Sequence, residues 1–172
     1  MTLLRSLLAV LCLTSLAVVP TGCKKDSAPV AQPGPDGSPA SAPAVQALLG
    51  ARHRDDLPDR KTLDKHDDAH AALLWIAEHG HRAILKNRAT ELLGLYPDYV
   101  DAHAATLDRY AGEDAPHAFI RTAALKAWAK HPAEVRQARV ATFEAAIRSD
   151  DPRVKQAGHA ALRGLTRSAP LE

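Results

Sequence analysis

The sequence predicts an all-α fold: a short right-handed α-solenoid of about three helical hairpins, following a disordered N-terminal tether. Three observations predict it. The 172-residue chain is rich in Ala and Leu and has only 4% aromatics, a composition that favours helices over sheets. Three stretches beginning at Leu85, Ile120 and Val154 share one apolar pattern and start 35 and 34 residues apart. Between and around them, Gly, Pro and Asp fall where helices should stop and start.

The chain begins with a different kind of segment. Arg5 precedes an apolar run from Leu7 to Val19, and the small residues Thr21 and Gly22 come just before Cys23. That run is short of the roughly 20 residues that span a bilayer, so an export signal fits better than a permanent membrane helix. The ending Val19-Pro20-Thr21-Gly22-Cys23 resembles a bacterial lipobox, with Pro20 standing where an aliphatic residue is usual. The resemblance implies cleavage before Cys23 and a lipid anchor on its thiol. Lys24 after Cys23 resembles lipoproteins sent to the outer membrane. Cys12 would leave with the signal, so no internal disulfide is expected.

The next stretch, KKDSAPVAQPGPDGSPASAP at 24–43, is rich in Pro, Ser, Ala and Gly without apolar periodicity. It should stay disordered and act as a spacer. The expected organisation is therefore a signal segment at 1–22, the lipidated Cys23 with its tether at 23–44, and a helical domain at 45–172. Removing the N-terminal part leaves 19 cations against 18 acids. A domain that near to neutral lacks the charge footprint of a nucleic-acid binder.

The helical domain divides in order. A first helix near Val45–Arg52, then an irregular Asp55–Pro58, should cap one end of the array. Partner helices are expected near Asp67–Glu78, Tyr99–Tyr110 and Ala133–Ile147. The three repeating stretches each place a cation after the leading aliphatic residue. A small residue follows four positions after the aliphatic (Ala89, Ala124, Gly158), and an apolar pair at seven and eight. Those offsets share one helix face. Asp151-Pro152 is the clearest helix start, because first-turn N–H groups are unpaired and carry positive partial charge.

The segment Asp151-Pro152-Arg153-Val154-Lys155, with Ala157, Gly158, Ala161 and Leu162, resembles the second helix of a HEAT-type repeat. Ile120-Arg121 with Ala123, Ala124 and Ala127 is similar; in the first repeat Arg88 replaces a small residue. The alternative is a tetratricopeptide array, whose junctions Leu95-Tyr96-Pro97-Asp98-Tyr99 resembles and whose period is also 34. A non-repeating helical bundle also remains open.

Candidate chemistry is sparse. His66 and His70 are four apart and, on a helix, could chelate a metal, but spacing fixes no third ligand. Asp55-Asp56 and Asp67-Asp68 read as helix starts and turns rather than acid/base pairs. No catalytic motif is present, so no enzyme activity and no cofactor are expected. Lys86, Arg121 and Lys155 occupy the same place in the three repeats and would stack in a row. They read either as a ladder paired with turn acids such as Asp114 and Asp151 or as a basic ridge for an acidic partner segment. The expected function is a non-catalytic interaction scaffold, lipid-anchored through Cys23 in the bacterial cell envelope and facing the periplasm. Its expected partners are the membrane and a protein, not nucleic acid. A histidine-cluster metal binder and a structural lipoprotein binding an envelope polymer are the alternatives.

Overall fold

The computed structural model describes residues 34, 36–51, 53 and 56–166. The signal segment, Cys23 and most of the tether lie outside the described residues. Those described are all-helical apart from turns and short links, with no strand among them. No described helix is long and apolar enough to cross a membrane.

Three hairpins form the body. The first pairs α3 (Ala69–His79) with α4 (Ala83–Leu93), and the second pairs α5 (Val100–Ala111) with α6 (Ala118–Ala129). In the third, α7 (Ala133–Gln137) and α8 (Val140–Ile147) both pack on α9 (Pro152–Thr166). The second helices assemble the stack: α6 lies against both α4 and α9. Helix α1 (Ala42–Gly50) covers α3 and α4, and one turn, α2 (Arg60–Leu63), links it to them.

The repeating pattern is what the core is made of. Helix α4 buries Leu85, Ala89, Leu92 and Leu93; α6 buries Ile120, Ala124, Ala127 and Trp128; α9 buries Val154, Gly158 and Ala161. Leu85, Ile120 and Val154 are each no more than 2% exposed and belong to one continuous cluster. The same stripe recurs in the first helices, with Ala69, Ala72, Leu73, Ile76 and Ala77 buried in α3. Small residues set the spacing. A Cβ on Gly158 would lie 3.0 Å from the Ala146 Cβ and from the Phe143 carbonyl oxygen, so glycine lets α9 close on α8. A Cβ on Gly94 would lie 2.7 Å from the Ala127 backbone, fixing how near the end of α4 comes to α6.

Three boundaries differ from the sequence expectation, each for a local reason. The tether ends earlier: Ser38 Oγ donates to Asp36 Oδ1 in a turn, and α1 starts at Ala42 rather than near Val45. Ala42, Val45 and Leu49 supply a buried face, and Pro43 is tolerated because first-turn N–H groups have no helical partner. Helix α3 starts at Ala69, after Asp68 in the left-handed region at φ 53°, instead of at Asp67. The third first-helix is broken at Ala138-Arg139, where the arginine meets Asp108 and Trp128 of the second hairpin. Arg139 Nε and Nη2 donate to the two Asp108 oxygens at 2.8 and 3.2 Å, and its guanidinium lies 3.8 Å from the Trp128 ring centre. A fork bound to a carboxylate on one side and an aromatic face on the other holds a fixed direction at this break.

Candidate functional site

An open groove of about 870 Å³ runs across α4, α6 and α9. The three helices contribute matching rows to it. Ile84, Phe119 and Arg153 each sit one residue before the buried aliphatic, and Asn87, Thr122 and Gln156 two after it. Arg88, Ala123 and Ala157 form the floor row, and Glu91, Lys126 and Ala160 the row beyond. Leu57, Pro58 and Asp59, on the link before and at the cap of α2, close one end.

The lining is mixed in character. Ile84 and Phe119 are two of the three large apolar side chains left exposed among the described residues, at 38% and 36%. Both acids on the wall are already engaged. Asp59 caps α2 by accepting from the Thr62 N–H at 2.8 Å, and hydrogen bonding from the Thr62 side chain, together with this backbone bond, keeps its carboxyl below the usual range. Glu91 meets Lys126 at 3.3 Å, and its carbonyl faces Lys130 Nζ at 3.5 Å. Arg153, in contrast, has no side-chain partner among the described residues. Asn87 Oδ1 on the groove wall also lacks a hydrogen-bond partner among the described residues. Helices α4 and α6 begin beside the groove with neither a side-chain cap nor an acid in the first turn. Their positive ends are left uncompensated there.

The cations of the repeating row face elsewhere. At about 100° per residue, the row just after the aliphatic lies on the opposite flank of each helix from the row just before it. Lys86 Nζ donates to the Glu78 carbonyl at 2.7 Å, in the last turn of α3. Arg121 Nε donates to the Ala111 carbonyl at 3.1 Å, at the end of α5. Lys155 is exposed, with no side-chain partner among the described residues. Arg88, the one residue of the first repeat that is large where its counterparts are small, donates to the Leu49 carbonyl at the end of α1. Neither α1 nor α4 carries a basic residue in its own last turn, so cations from other elements satisfy the carbonyls there.

The His66/His70 pair does not form. His66 lies in the turn before α3, so the helical spacing that would have set it beside His70 is absent. His70 stacks on Tyr99, ring centres 3.7 Å apart, and His79 on Trp75 at 5.3 Å. Among the described residues no group of three or more His, Cys, Asp or Glu could hold a metal ion. Two other histidines are buried deep in the stack. His103 is fully buried and His131 is 2% exposed, and neither ring has a hydrogen-bond partner among the described residues. Burial pushes the His103 pKa down to about 4, with His70 and His131 adding to it, and burial with nearby Arg139 lowers that of His131. Both rings are therefore neutral near pH 7.

These features define an all-α helical-repeat protein with an amphipathic groove built from equivalent positions of its second helices. Comparison with protein-family models, with curated proteins and with solved structures finds no match. The sequence had pointed to the conspicuous cation row and passed over the groove rows. The available signal was Ile84 and Phe119, large apolar residues at the same register yet off the buried stripe.

Proposed function

We propose that this protein is a membrane-anchored, non-catalytic scaffold of the bacterial cell envelope that holds a segment of a protein partner in the groove across α4, α6 and α9. The observation that carries this reading is the groove itself: three helices present the same rows, and two of those rows' members are exposed large apolar side chains. Stacked repeats commonly use such a shared face for extended partners. Exposed apolar side chains rimmed by polar groups are the anchors that protein interfaces bury. The lipobox-like Thr21-Gly22-Cys23 and the Pro-rich spacer support the anchor, because several acyl chains on one cysteine hold a protein durably at a bilayer.

Two measurements test the two halves. Acyl-chain labelling of the expressed protein is expected to vanish in Cys23→Ala; label that persists removes the anchor. A photo-crosslinking residue at Thr122, in the groove, is expected to give a discrete protein adduct in intact cells. The same residue at exposed Ala102 should not, and Phe119→Ser should weaken the Thr122 adduct. Equal adducts from both positions, or one indifferent to Phe119→Ser, would remove the groove from the reading.

A further inference from the structure

We infer that the groove's occupant is an acidic amphipathic protein segment, its apolar side chains seated on Ile84 and Phe119 and its carboxylates facing Lys126, Lys130 and Arg153. This rests on the groove being a docking surface and adds the chemistry of what docks.

The charge balance of the wall carries the inference. The chain as a whole is close to neutral, at +2 in 172 residues, yet the groove lining holds Arg88, Lys126, Lys130 and Arg153 against Asp59 and Glu91. Arg88 is committed to the Leu49 carbonyl, and the two acids are committed to the α2 cap and to Lys126. What the wall still offers is positive. Arg153 has no side-chain partner among the described residues, and the Lys126 side chain remains 50% exposed despite its pairing. The uncapped, acid-free starts of α4 and α6 add partial positive charge beside Ile84 and Phe119. An occupant with carboxylates gains from each of these groups, whereas a cationic segment meets only acids already paired. The two apolar side chains separate this occupant from a simple polyanion. A polyphosphate or nucleic acid would use the cations and leave Ile84 and Phe119 wet.

Fluorescence anisotropy of the full chain with three labelled peptides decides it. One carries Glu along one flank and Leu and Phe along the other. In the second Lys replaces Glu, and in the third Ser replaces Leu and Phe. The first peptide should bind, more weakly as salt rises, and both others should bind about tenfold more weakly or worse. Lys126→Glu with Arg153→Glu should weaken the Glu peptide about tenfold and strengthen the Lys peptide, with the helical circular dichroism unchanged. Should that pair unfold the chain, Arg153→Gln alone must still weaken the Glu peptide. If the Lys peptide binds the wild type equally well in a manner sensitive to Phe119→Ser, the acidic specification fails while the groove stands. Equal binding of the Ser-substituted peptide makes the surface a polyanion site and overturns the inference. If no peptide binds, or if binding ignores both Phe119→Ser and the charge reversals, the inference falls and the groove reading with it.

Discussion

At the scale of single residues, this fold depends on where side chains are absent. Gly94 has an ordinary backbone conformation, φ −64°, so its identity is set by space alone: the missing Cβ would lie 2.7 Å from the Ala127 backbone, which cannot turn aside. Gly94→Ala is expected to cost about 1–3 kcal/mol, as overpacking in a dense interior does. Gly112→Ala makes the control, since its nearest neighbours would be 3.5 and 3.6 Å away and its φ is −66°. That change should be neutral or slightly stabilising, because alanine restricts the unfolded chain without strain. Thermal unfolding of the two variants should shift in different directions or by clearly different amounts; equal losses would remove the close-approach account. Small residues at offset four were legible in Ala89, Ala124 and Gly158. Gly94 was not, because its neighbour, Ala127, lies 33 residues further on in another helix.

At the scale of elements, the recurring theme is a cation closing the carbonyl end of a helix to which it does not belong. Lys86 serves α3, Arg121 serves α5 and Arg88 serves α1. Such bonds satisfy orphan carbonyls and oppose the negative helix end. Lys86→Met and Arg121→Met are expected to lose about 1.5–3 kcal/mol each, the range for hydrogen bonds from charged donors. Lys155→Met should stay within about 0.5 kcal/mol, as exposed substitutions do. Urea unfolding of the three variants checks this, and equal effects would return the row to a common role. The sequence displayed the row but not what each member faces, since that depends on where the preceding helix stops. Arg88 looked like a defect in the pattern for the same reason: its partner, α1, is not a repeat. The break at Ala138-Arg139 was equally hidden, because Asp108 and Trp128 lie in another hairpin.

For the molecule as a whole, the two neutral histidines in the interior tie stability to acidity. The folded His103 pKa of about 4 lies below its ordinary 6.5, so unfolding takes up a proton between those values. Stability is full above pH 6.5 and is lost as pH falls from there through about 4, with His131 acting in the same direction. The His103 contribution is at most about 3 to 4 kcal/mol, at about 1.36 kcal/mol per pKa unit. His103→Leu should flatten the stability profile across this window; profiles that run parallel to wild type would show that the ring is not the titrating group. At this scale the sequence was most informative. One apolar pattern in triplicate was enough to foresee hairpins sharing a seam, because burial follows helical periodicity directly. The groove was less visible, since what stays uncovered depends on which neighbours arrive.

The matched rows also dictate a metre for whatever lies across them. Adjacent packed helices stand about 8–10 Å apart. A ligand in the extended helix of three residues per turn, advancing about 3.1 Å per residue and crossing at right angles, would therefore turn every third side chain to successive helices, and an α-helical one, rising about 1.5 Å per residue, every seventh. Since α4, α6 and α9 bring Ile84, Phe119 and Arg153 to the same rung, such a ligand would read aliphatic, aromatic and cationic contacts in that sequence, which gives the groove a direction as well as a length.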